Sequence, residues 1–130
     1  MTGHPLIDRL TNELGYPLLQ SRRDVERFLS RPGAHAIFTP GEAARNLETA
    51  DVAVILPELR MAFQNGFDCA VAGDGVEAEL REETVVRKTP GLIFYRGEKF
   101  VGGIARVRDW NDYIARVGFL LSREPEQVEN

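Results

Sequence analysis

Residues able to do covalent or metal chemistry are few in this 130-residue chain: one cysteine, Cys69, and two histidines, His4 and His35. Thiol–disulfide exchange needs an attacking thiolate and a second thiol to resolve the mixed disulfide. One cysteine per chain therefore supports neither a Cys-x-x-Cys redox centre nor an internal disulfide, and it excludes a multi-cysteine zinc site. His4 lies near the terminus and His35 within an apolar run, without the spacing to a second ligand that a metal site requires. No metal and no cofactor is expected. Cys69 sits in Phe67-Asp68-Cys69-Ala70-Val71, where a thiol behaves as a small hydrophobe and burial raises its pKa. Gly73-Asp74-Gly75 lacks the following GxxG or Gly-Lys of a phosphate loop and reads as a turn.

Carboxylates make up the remaining chemistry. Glu42, Glu48, Asp51 and Glu58 form one group, and Asp74, Glu77, Glu79, Glu82 and Glu83 form a second. With a net charge of -4 and a pI near 5.2, the chain lacks the clustered Lys and Arg that release counterions from phosphates, so nucleic acid is not an expected partner. Basic or Arg-bearing partners fit better. For any single carboxylate the competing explanation is a solvated acidic face.

The elements that position these residues follow from periodicity. Leu6, Ile7, Leu10 and Leu14, closed by Gly15, predict a leading helix over about residues 4–14. Tyr16 to Leu19 predicts a brief edge strand. Ser21 with Asp24 three residues later predicts a helix start, and Val25, Phe28 and Leu29 form its stripe until Pro32-Gly33. Ala34 to Phe38 reads as a buried strand before Pro40-Gly41. From Asp51, the residues Val52, Ile55, Leu56, Leu59 and Phe63 predict a long helix with a kink near Pro57. Phe67 to Ala72 predicts a strand, Glu77 to Glu83 a short acidic helix, and Leu92 to Tyr95 with Lys99 to Gly103 a hairpin turning at Arg96-Gly97-Glu98. Asp109 caps a last helix, in which Trp110, Ile114, Val117 and Leu121 are expected in the core and Tyr113 at its margin.

At this length, with 43% hydrophobic and 28% charged residues, one domain over residues 1–121 is expected, followed by a polar, flexible tail over 122–130. No apolar run approaches the roughly 18 to 20 residues that cross a bilayer, so no membrane insertion is expected. Ser21-Arg22-Arg23 resembles a twin-arginine export motif, but Asp24, Glu26 and Arg27 stand where an apolar region should begin, so a helix start is the better reading. Cysteine usage and the absence of a secretory layout suit the cytoplasm.

This order of elements resembles the thioredoxin fold: an α/β three-layer sandwich with a mixed central sheet, a C-terminal antiparallel hairpin and here an extra N-terminal helix. Pro57 within the long helix, Thr89-Pro90 before the hairpin and Gly102-Gly103 after its second strand carry the likeness. It implies a cis peptide bond at Pro90, inexpensive for an X-Pro pair. It also implies a groove in which Thr89 and Pro90 hold an extended peptide. Where thioredoxins carry Cys-x-x-Cys, this chain reads Thr39-Pro40-Gly41-Glu42-Ala43-Ala44-Arg45-Asn46-Leu47-Glu48, so no catalytic residue and no oxidoreductase activity is expected.

Within that group the chain resembles the hydrogenase expression and formation accessory proteins of the HupG and HyaE type. The resemblance rests on the leading helix, the cysteine-free loop, Asp51-Val52-Ala53-Val54-Ile55-Leu56-Pro57-Glu58-Leu59, Thr89-Pro90-Gly91-Leu92-Ile93-Phe94-Tyr95 and the tail Glu124-Pro125-Glu126-Gln127. It implies a cytoplasmic chaperone in maturation of a nickel-iron uptake hydrogenase, engaging the small subunit precursor and its twin-arginine signal peptide before export. Such a leader needs an acidic surface for its guanidinium groups beside an apolar groove, which makes both carboxylate groups candidates. The alternatives are a thiol-dependent enzyme built on Cys69 and an adaptor that binds other maturation proteins or a second copy of itself.

Overall fold

The computed structural model describes residues 5–41, 47–84, 86–106 and 108–123. The order is α1 (Pro5–Asp8), a π-helical turn (Arg9–Glu13), β1 (Leu18–Leu19), α2 (Arg22–Leu29), β2 (Ala34–Thr39), α3 (Leu47–Ala62), β3 (Phe67–Ala72), α4 (Glu77–Thr84), β4 (Gly91–Arg96), β5 (Lys99–Ala105) and α5 (Trp110–Ser122). The five strands form one mixed sheet in the order β1-β3-β2-β4-β5. β3 runs parallel to β1 and β2, while β4 is antiparallel to β2 and β5. The arrangement is thioredoxin-like.

Alternation along the strands divides the interior into two cores, because successive side chains point to opposite faces of a sheet. Ala36, Phe38, Phe67, Cys69, Val71, Leu92 and Phe94 face α3 and α5, joined by Ile7 and Leu10 of the leading segment. Ile37, Ala70, Ala72, Ile93 and Tyr95 face α2 and α4 through Val25, Phe28, Leu29 and Leu80. Both faces are covered, so the central strands are buried almost throughout. The leading helix is present where its periodicity predicts it, α-helical over Pro5–Asp8 and π-helical over Arg9–Glu13, which keeps Ile7 and Leu10 in the core and ends before Gly15 at φ +75°.

Helix α3 begins earlier than its apolar stripe predicts, at Leu47, and continues through Pro57. The proline deletes the single N–H that would reach the Ala53 carbonyl, and core burial of Val52, Ala53, Leu56 and Leu59 holds the helix together around that gap. β4 and β5 pair with a register shift at Phe94/Tyr95. Helix α5 runs to Ser122; residues 124–130, where the polar tail is expected, lie outside the described residues.

One core expectation is corrected. Trp110 is 44% exposed, whereas Tyr113 is 1% exposed and packs with Val117 and Leu120. Trp110 does lie on the apolar stripe, seven residues before Val117, but it is the first residue of α5, beyond the ends of β4 and β5 at Gly91 and Ala105. Side chains on a helix also lean toward its N-terminus, which carries the indole further past the sheet.

Two helices start on side-chain caps. The Ser21 hydroxyl accepts from the Asp24 N–H at 3.2 Å, and the Asp24 carboxylate accepts from Gln20 N–H at 2.9 Å. At α5 the Asp109 carboxylate accepts from Asp112 N–H at 2.8 Å. Ser21→Ala and Asp109→Ala are each expected to lower stability by about 1 kcal/mol, read as a shift of the urea midpoint at unchanged m-value.

Candidate functional site

Register places one end of the sheet at Thr39, Gly91 and Ala105, with Ala72 beside them at the end of β3. Helices α3, α4 and α5 begin at this end. Crevices outside the carboxyl ends of strands are where open α/β sheets bind ligands. Of the sequence-predicted docking residues, Glu48, Asp74, Glu77, Thr89 and Pro90 lie toward it.

The turn leaving β2 is tied down from three directions. Thr39 Oγ1 donates to the Gly91 carbonyl at 3.3 Å, and Thr49 Oγ1, buried in the first turns of α3, donates to the Pro40 carbonyl at 2.7 Å. Gly41 N–H donates to Glu77 Oε1 at 2.9 Å across the mouth of the sheet. Gly41 adopts φ +72°, and a Cβ there would lie 2.4 Å from Thr89 Oγ1, so only glycine lets this backbone rest against Thr89. The Thr89–Pro90 peptide bond is cis, with Thr89 half-buried and Pro90 buried.

Between these segments lies an open cleft of about 280 Å³ lined by Gly41, Asp74, Glu77, Ala78, Arg81 and Thr89. Glu77 is its inner wall. Burial raises the Glu77 carboxyl above its usual range, against the opposing pull of the Gly41 N–H and of Arg81. Arg81 Nε stands 3.7 Å from Glu77 Oε2, and its other end donates to the Arg87 carbonyl at 3.2 Å. Asp74 is exposed at the rim.

The structure regroups the carboxylates. Asp74 and Glu77 join Thr89 in the cleft. Glu48 pairs with Arg106 at 3.7 Å, and Arg106 N–H donates to the Pro90 carbonyl at 2.7 Å, so Glu48 reaches the cis-proline from the other side. Asp51 and Glu58 are exposed on the outer face of α3, away from the cleft. Glu79 and Glu83 turn toward α2, where Arg22 holds them at 2.7 and 2.9 Å; Glu82 is exposed on the same helix. Glu42 lies outside the described residues. Gly41, Arg81 and Arg106 are site residues that the sequence reading does not single out. Pro40-Gly41 signals only a turn, and the i,i+4 spacing of Glu77 and Arg81 is common on any helix.

Cys69 is 3% exposed, and its thiol is pushed up to about 12 by burial, against the smaller effects of Arg60 and a hydrogen bond with Tyr16. His35 is fully buried, with Nε2 2.9 Å from the Arg31 carbonyl. Among the described residues no three His, Cys, Asp or Glu side chains gather as a metal site, and no helix is long and apolar enough to cross a membrane.

Comparison with known proteins gives this geometry a family. The family model described as Hydrogenase-1 expression protein HyaE matches residues 6–113. The chain belongs to the HyaE family. A hydrogenase expression/formation protein HupG of Rhodobacter capsulatus is 60% identical over 119 residues, 92% of this chain and 86% of that protein. HoxO of Azotobacter vinelandii, described in the same words, is 39% identical over 125 residues, covering 96% and 83%. A crystal structure of a protein described as HupG, from Rhodopseudomonas palustris, superposes with a TM-score of 0.58 at 32% identity over 82% of this chain and 95% of that one. Mitochondrial thioredoxin 3 of Saccharomyces cerevisiae matches at a TM-score of 0.64 and 9% identity, over 83% and 94%, which shows the shared fold.

Two outcomes follow from the buried groups. Native Cys69 should react with a thiolate-selective reagent about a thousandfold more slowly than a free cysteine near pH 8, since the thiolate is the reactive form, and at the ordinary rate once unfolded. For Glu77, the folded state holds the carboxyl proton more tightly than the unfolded chain, so its contribution to stability is full below the ordinary carboxyl range and is lost as pH rises through the raised value. Glu77→Gln keeps an acceptor for Gly41 and removes that loss. Its stability relative to the parent should therefore rise as pH increases above the ordinary carboxyl range, measured by urea unfolding at a series of pH values.

Proposed function

We propose that this protein is a non-catalytic accessory chaperone in the maturation of a nickel-iron uptake hydrogenase, and that it binds the small subunit precursor through its twin-arginine signal peptide in the cytoplasm. The observation that carries the reading is the cleft in which Thr89, next to the cis-proline, stands with Asp74 and Glu77. An extended backbone lying over Thr89 can exchange hydrogen bonds with it while a guanidinium meets the carboxylates. Its relatives are named as hydrogenase expression/formation proteins, which supports the maturation role. The sequence has no second thiol to resolve a mixed disulfide, and the one it has is buried, which argues against thiol chemistry.

The test is calorimetric titration of the small subunit with and without its leader, and of the leader peptide alone. Binding should require the leader. Asp74→Asn should weaken it about five- to fiftyfold, as expected for loss of one charge-assisted hydrogen bond. Equal affinity for the leaderless subunit overturns the reading.

A further inference from the structure

The geometry points to Trp110 as the apolar anchor of this docking surface, receiving a bulky apolar side chain of the same bound segment whose cationic residue meets Asp74 and Glu77. The inference rests on the peptide-docking reading above and adds to it a residue that periodicity assigns to the core.

An isolated exposed apolar residue is ordinary on a protein surface, so exposure alone decides nothing. Position and mounting decide here. Trp110 opens α5, whose first turn is fastened by the Asp109 cap and by the Tyr113 hydroxyl, which donates to the Arg106 carbonyl at 3.1 Å. The same residue, Arg106, donates its N–H to the Pro90 carbonyl at 2.7 Å and pairs with Glu48. Pro90, Arg106 and the first turn of α5 thus form one hydrogen-bonded rim around the end of the sheet. Trp110 stands four positions after Arg106, so their Cα atoms lie at most about 14 Å apart. An extended peptide covers that distance in about four residues, which puts the first turn of α5 within reach of a segment lying beside Arg106.

Charge selects the occupant. Asp74 is exposed, and Glu77 lines the same cleft with little of its side chain open to water, so the segment must bring a cation to this side. The indole then calls for a large apolar residue further along the same segment. The other exposed large apolar side chains among the described residues lie elsewhere: Leu14 at the end of the leading segment, Val54 and Met61 on the outer face of α3, and Phe119 late in α5 beneath Arg123. Tryptophan is enriched among the interface residues that dominate binding energy.

Trp110 is the only tryptophan in the chain, so its emission reports this surface alone. The experiment titrates the protein with a tryptophan-free leader peptide carrying its two arginines and following apolar run, with fluorescence and calorimetry in parallel. Expected are a blue shift that saturates at the calorimetric Kd, a tenfold or greater loss of affinity in Trp110→Ala, and a smaller loss in Trp110→Phe. A peptide with its apolar residues changed to serine should give no shift and bind Trp110→Ala as it binds the parent. Calorimetric binding with unmoved emission and an unaffected Trp110→Ala overturns the inference and leaves the docking reading intact. No calorimetric binding overturns both. A blue shift on raising protein concentration alone shows the indole covered by a second copy and overturns the inference.

Discussion

The contact on which the site depends is the one between Glu77 and the Gly41 N–H. It spans from the head of α4 to the exit of β2 and pins the turn that stands where a thioredoxin would carry its reactive cysteines. The same turn leans on Thr89 through a glycine that no side chain could replace without displacing the threonine. Strand exit, acidic helix and cis-proline loop are therefore set relative to one another by backbone groups and one buried carboxylate. The cost is a carboxyl group held away from water, tolerated because an N–H and a guanidinium face it.

Bracing of this kind bears on recognition. Binding energy is lost whenever a loop must be ordered on association, and here Thr49, Glu77 and Arg106 hold the cis-proline neighbourhood from three elements before any partner arrives. The acidic character of the surface is also narrower than the residue count suggests. Glu79 and Glu83 are engaged by Arg22, leaving Asp74 and Glu77 in the cleft and Glu48 at its far side.

Most of the architecture was legible in the sequence because it is written in local signals. Period-two alternation in Phe67–Ala72, the apolar run Leu92–Tyr95, and the caps Ser21 and Asp109 appear where the residues call for them. Trp110 is misjudged for a physical reason. Periodicity says which face of a helix is apolar, but it cannot say where the opposing sheet ends. Carboxylates adjacent in sequence were read as one patch, yet α4 sends Glu77 inward and Glu79 and Glu83 sideways, a division set by helix phase relative to Gly41 and Arg22. The joining of Thr89 to Asp74 and Glu77 is a tertiary fact, carried by crossovers between strands and invisible to spacing.

The sheet's borders have a consequence of their own. Polymerisation through exposed strand edges is the usual hazard of an open sheet. On one border β1 offers a two-residue stub. On the other, the register shift opposite Tyr95 and Gly102 at φ +150° break the regular ladder, and the Arg123 guanidinium already occupies the Val101 carbonyl. Neither margin presents a long, flat template, so self-templated strand addition is disfavoured by backbone shape before surface charge contributes anything.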